Sequence, residues 1–169
     1  SGIDPLNSYA RVPLLIKSMQ NIEAVSIPRS KHFSDGAIFL IDTGSPGKTE
    51  PLVNKFMESL NSNKPDSINA EEINQVTNDA IDSLINEDTD VFFEKLKELS
   101  VYQFNHFNLM IPHDYKSLWK QGLESDDFYI KLCGSGGGGF LLGFTHNYPK
   151  LQKLFNDQAV QHIPVYKKK

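Results

Sequence analysis

The sequence predicts an α+β fold, an antiparallel sheet with helices packed on one face. The prediction rests on the order strand, several helices, strand, strand, helix, strand from Ala37 onward, and on the lack of any long apolar run or internal repeat. A chain of 169 residues that is 39% hydrophobic can fill one sizeable core, or one domain and part of another.

The first element expected is a hairpin. The stretch from Tyr9 to Arg29 favours extended chain, with Val12 to Ile16 and Ala24 to Ile27 as arms around the polar turn Ser18-Met19-Gln20-Asn21. Asp35-Gly36 marks a turn, and Ala37 to Asp42 is a buried strand ending at Thr43-Gly44. Leu52, Val53, Phe56, Met57 and Leu60 repeat at helical spacing, so a helix runs from Thr49 to about Asn61, with Pro51 tolerated in its first turn. Residues 61 to 66 form a loop. A second helix starts at Asn69, carrying Ile73, Val76, Ala80 and Leu84, and a third at Thr89, carrying Val91, Phe92, Leu96 and Leu99.

Beyond Pro112 a short helix carries Leu118 and Trp119 and stops near Gly122. The period then changes to that of strands at Phe128 to Cys133 and Phe140 to Thr145, with a glycine run between them. A helix from Tyr148 to Phe155 and a strand from Ile163 to Tyr166 complete the chain. The arrangement is ferredoxin-like. The hairpin lacks a core of its own, which divides the chain into residues 1–34, a remnant of a preceding domain, and a domain over 35–169.

The net charge of −4 argues against a protein that holds nucleic acid or an anionic membrane surface. The single cysteine, Cys133, excludes an internal disulfide, and with no secretion signal the expected compartment is the cytoplasm. The five histidines show no metal-ligand spacing, so no metal site is assigned to them. Lys131 alternates out of its strand and reads as solvent-exposed.

The chemistry concentrates in Gly134-Ser135-Gly136-Gly137-Gly138-Gly139. Five glycines in six residues permit positive φ angles and let several N–H groups converge on one anion, which suits phosphate. The same composition also describes a flexible linker. Apolar strands on both sides favour the anchored reading, and ordinary hairpins need only one or two glycines. No Gly-Lys-Ser/Thr ending follows, so this is not a Walker A loop.

Lys131 to Gly139 resembles the third motif of the galactokinase, homoserine kinase, mevalonate kinase and phosphomevalonate kinase (GHMP) superfamily, closest to the mevalonate kinase form Lys-Leu-Thr-Gly-Ala-Gly-Gly-Gly-Gly-Cys. Cys133, Ser135 and Phe140 depart from it. Ser1-Gly2-Ile3-Asp4 is similar to the family segment that carries the catalytic aspartate. Phe39 to Gly44 followed by Lys48 to Val53 is similar to its strand, loop and Ser/Asn-Thr-x-x-Leu-Val helix start, with Thr49 on the family threonine.

The resemblance spans nearly the whole chain, and it implies the GHMP kinase carboxy-terminal domain of an ATP-dependent, mevalonate-kinase-like enzyme of isoprenoid biosynthesis. In that reading Asp4 is the catalytic base toward a mevalonate-like alcohol. Gly2, Ile3 and Thr49 lie at the substrate, although Thr49 also suits a helix cap. Gly134, Ser135, Gly136, Gly137 and Gly138 face the nucleotide phosphate, and Mg²⁺ is held mainly by an amino-terminal half. That half's main phosphate loop does not occur here, so the chain reads as a carboxy-terminal fragment, inactive alone and partnered by the missing half. The alternatives are a phosphomevalonate kinase, a diphosphomevalonate decarboxylase or a noncatalytic ferredoxin-like metabolite-binding module.

Overall fold

The computed structural model describes residues 6, 9–10, 12–18, 20–26, 35–46, 49–61 and 68–167. Asp4, Gly2, Ile3 and most of the loop expected over 61–66 lie outside them. The hairpin is present as β1 (Leu14–Ser18) and β2 (Asn21–Ala24), paired Leu14 to Ala24 and Ile16 to Ile22. Its arms are shorter than expected, and Tyr9 and Ala10 are helical rather than extended.

The main sheet holds β3 (Ala37–Asp42), β4 (Phe128–Leu132), β5 (Phe140–Thr145) and β6 (His162–Lys167), in the order β4-β5-β3-β6 and antiparallel throughout. Taken alone, these strands run second, third, first, fourth, the order of a ferredoxin-like sandwich.

Five helices accompany the sheet among the described residues: α1 (Thr49–Leu60), α2 (Ala70–Ile85), α3 (Thr89–His106), α4 (Lys116–Ser125) and α5 (Tyr148–Asp157). Three of their starts follow from local chemistry. The Asn69 carboxamide oxygen accepts from the N–H groups of Glu71 and Glu72, Asp88 accepts from Val91, and Asn147 accepts from Lys150.

Helix α4 does not stop at Gly122. It continues to Ser125 and ends on Asp126 in the left-handed region at φ 56°. Gly122 is required by packing instead, because a Cβ there would lie 2.5 Å from the Phe128 carbonyl oxygen.

Strand alternation sorts the core. Phe39, Ile41, Phe128, Ile130 and Leu141 meet Trp119 of α4 and Leu151 and Phe155 of α5 in the larger cluster. Phe155 stands edge-on to both Phe39 and Phe128 at 5.5 Å between ring centroids. Ile38, Tyr129 and Phe144 point the other way, where α2 and the first half of α3 add a smaller cluster with Ala80, Phe92, Phe93 and Leu96.

Helix α3 also covers the open edge of β4. The Ser100 hydroxyl donates to the Ile130 carbonyl at 2.7 Å, and the Gln103 carboxamide oxygen accepts from the Leu132 N–H at 2.8 Å. An unpaired strand edge is a template for aggregation, and these bonds close it.

Candidate functional site: the glycine loop and the cavity behind it

The loop from Cys133 to Gly139 joins β4 to β5. Its backbone is left-handed at Gly134 (φ 57°), Gly136 (70°), Gly137 (78°) and Gly139 (70°), with Gly138 at 152°. L-residues pay for such angles, so the surplus of glycine is conformational. Gly136 has a second reason: a Cβ on it would stand 2.7 Å from the Met110 carbonyl oxygen.

The loop is anchored at both ends. The Gly137 N–H donates to the Met110 carbonyl at 2.6 Å, and the Gly136 N–H to the Cys133 carbonyl at 3.3 Å. On the other side the Gly139 N–H donates to the Ser45 carbonyl at 2.6 Å, while its carbonyl accepts from the Thr43 N–H at 2.9 Å and the Thr43 hydroxyl at 2.8 Å. These bonds take up the N–H groups of Gly136, Gly137 and Gly139. Those of Gly134 and Gly138 enter no hydrogen bond among the described residues.

The segment after β3 is ordered by the same neighbourhood. An Asp42 carboxylate oxygen accepts from the Gly44 N–H at 2.9 Å, and the Tyr115 hydroxyl donates to the Asp42 carbonyl at 2.8 Å. Burial, helped by Asp42 and Asp114, pushes the Tyr115 phenol above its ordinary pKa, so it acts as a hydrogen-bond donor. Thr49 is the first residue of α1, and its side chain lies outside what the structure describes.

Behind the loop lies a cavity of about 520 Å³. Val53 and Phe56 of α1, Leu99 of α3, and Phe107, Met110 and Leu132 form its apolar walls. Thr77, Gln103 and Lys131 add polar groups, and Gly134 and Ser135 contribute loop backbone and a hydroxyl-bearing residue.

Lys131 is thus not the solvent-facing residue its strand position suggests. It is half-buried, and its ammonium donates to the Leu132 carbonyl at 2.8 Å. Burial lowers its pKa and raises that of the half-buried Cys133 thiol, two positions on, where the strand passes into the loop. Sequence reasoning missed Met110, Gln103 and Ser45, which reach the loop or its strand from distant segments and carry no local signal.

The described histidines lie against aromatic rings or are exposed. His146 stacks on Phe93 at 3.3 Å and His106 on Tyr102 at 4.4 Å between ring centroids, and His113 is exposed. Among the described residues no group of three or more His, Cys, Asp or Glu is placed to hold a metal ion, and no helix is long and apolar enough to cross a membrane.

The sheet order defines an α+β domain of ferredoxin-like strand order, with the anchored glycine loop between its β4 and β5. Solved structures carry the likeness. A Lin0012 protein from Listeria innocua superposes with a TM-score of 0.65 at 18% identity, covering 88% of this chain and 42% of that one. Streptococcus pneumoniae phosphomevalonate kinase in complex with phosphomevalonate and AMPPNP gives 0.63 at 12% identity, covering 86% and 43%. A second structure of the Streptococcus pneumoniae enzyme gives 0.55 at 13% identity. The chain therefore spans less than half the length of these proteins. No family model and no curated protein sequence matches it.

Proposed function

We propose that the chain is the carboxy-terminal domain of an ATP-dependent small-molecule kinase of the mevalonate kinase type, transferring a γ-phosphoryl group to an alcohol. The observation that carries this reading is the glycine loop, fixed by bonds to Met110, Ser45 and Thr43 on a fold shared with a phosphomevalonate kinase. A linker would have neither the anchors nor the left-handed run.

The loop suits a phosphate. Gly134 and Gly138 keep N–H groups outside the anchoring bonds, and space lies open where a Gly134 Cβ would stand, so backbone can approach an anion closely. ATP, when bound, supplies the phosphoryl group, with Gly134, Ser135, Gly136, Gly137 and Gly138 along its phosphates. Mg²⁺ is assigned to residues of an amino-terminal half. Asp4 orients and deprotonates the acceptor hydroxyl, and Gly2, Ile3 and Thr49 border the acceptor. Phosphoryl transfer is dominated by positioning and charge stabilisation, so a rigid loop contributes by costing no reorganisation during the step.

Phosphomevalonate as acceptor is the second reading, supported by the neighbour solved with that ligand. The complete gene product is the material for the test, with ATP-dependent phosphorylation of mevalonate and of phosphomevalonate followed separately. Asp4→Asn is expected to lower kcat by about 100-fold or more while ATP affinity holds. Asp4 loses its role if that variant turns over normally. The kinase reading fails if neither acceptor, the mevalonate hydroxyl or the phosphomevalonate phosphate, is phosphorylated, which would favour a noncatalytic metabolite-binding module.

A further inference from the structure

Lysine is almost never buried without a partner, because an ammonium taken from water must regain its solvation from nearby groups. Half-buried Lys131 is thinly partnered by that measure. Among the described residues it has one hydrogen-bond acceptor, the Leu132 carbonyl, and no carboxylate beside it. An ammonium can donate three hydrogen bonds. Among the described residues that line its cavity there is no second cation and no acid, and six of them are apolar side chains.

We propose that this cavity is a binding site for an aliphatic monoanion, its carboxylate on the Lys131 ammonium and its hydrocarbon body against Val53, Phe56, Leu99 and Phe107. One cation matches one negative charge, which disfavours di- and triphosphates. The apolar walls disfavour sugars and nucleotides, whose hydroxyls would be left unpaired. The volume lies within the roughly 300–1,000 Å³ of ordinary small-molecule sites. Gly134 and Ser135 also line the cavity, so the occupant touches the loop from the helix side. The proposal does not depend on the loop's binding ATP.

The test is calorimetric titration of the full chain with three eight-carbon probes, octanoate, 1-octanol and octylammonium. Octanoate is expected to bind about tenfold or more tighter than octanol, and octylammonium not to bind. Lys131→Met should remove that advantage, leave octanol binding unchanged and raise the melting temperature, since it deletes a charge lacking an ionic partner. Val53→Trp, at a partly exposed position on the wall, should weaken both octanoate and octanol without touching the lysine.

The proposal is overturned if octanoate does not bind, if octanol binds equally well, or if Lys131→Met keeps the octanoate affinity. A lower melting temperature for Lys131→Met would assign the ammonium a structural role instead. None of these readouts involves phosphoryl transfer, so their failure is separable from that of the kinase assignment.

Discussion

Gly136→Ala and Gly134→Ala, compared side by side, test whether the glycine loop is a built structure. Both residues are left-handed, at φ 70° and 57°, so either alanine costs about 1–2 kcal/mol in backbone strain. Their surroundings differ. Open space surrounds the Cβ position at Gly134. At Gly136 a Cβ would meet the Met110 carbonyl oxygen at 2.7 Å, and Leu132 Cδ2 and Met110 Cβ at 3.1 Å. That carbonyl cannot retreat freely, because it accepts the Gly137 N–H at 2.6 Å. Overpacking of this kind adds about 1–3 kcal/mol, which puts Gly136→Ala near 2–5 kcal/mol in all.

Urea denaturation of the two variants measures the difference directly. In a melting experiment each kcal/mol corresponds to about 2–4 °C for a domain of this size. Gly134→Ala should therefore stay folded with a small loss. It is then the variant that tests the proposed phosphate contact. Equal destabilisation of the two, within about 0.5 kcal/mol, would refute the claim that Met110 holds the loop.

Two further outcomes follow from a buried hydroxyl and from a histidine stacked at the surface. Ser100→Ala strips the Ile130 carbonyl of its donor and the Trp119 indole N–H of its acceptor, bonds of 2.7 and 2.8 Å, and should cost about 2–4 kcal/mol by denaturant unfolding. A loss under about 1 kcal/mol would mean that water replaces the hydroxyl. His146 has its pKa lowered by burial, partly offset by Asp90, so the unfolded chain takes up its proton first as pH falls below 6.5. Its contribution to stability is present above that pH and lost below it. Unfolding measured across this range should show a slope that His146→Asn flattens, and an unchanged slope would assign the effect elsewhere.

What was readable in the sequence is what short-range chemistry decides. Ala37–Asp42 and Phe140–Thr145 are short, nearly continuous apolar runs between turn signals, and both form strands with the expected bounds. Asn69 before an apolar period at helical spacing sits where a cap should, and it caps. The misreadings have long-range causes. Gly122 looks like a helix stop, yet it is set by Phe128 arriving from the next strand, and Asp126 takes the left-handed end position that glycine usually fills. Lys131 alternates outward correctly, but strand period cannot tell solvent from the wall of a cavity closed by α1 and α3. The glycine loop was visible as composition, whereas its anchors lie in residues 43–45 and 110.

Those anchors bear on why the loop holds a fixed place. Gln103 fixes the end of β4 through the Leu132 N–H, and seven residues later Met110 accepts from Gly137 inside the loop. One stretch, from the end of α3 into the turn after it, thus holds both the strand that delivers the loop and the loop's middle. Thr43 and Ser45, just past β3, hold its far end. Glycine costs the most conformational entropy of any residue to order, so an unanchored run of five would sample many shapes and present an anion with none in particular. Anchors from two distant segments commit that entropy during folding, before any ligand arrives. Gly134 and Gly138 then keep N–H groups outside the anchoring bonds with their backbone already placed, and this preorganisation suits the proposed phosphate contact as a tether would not.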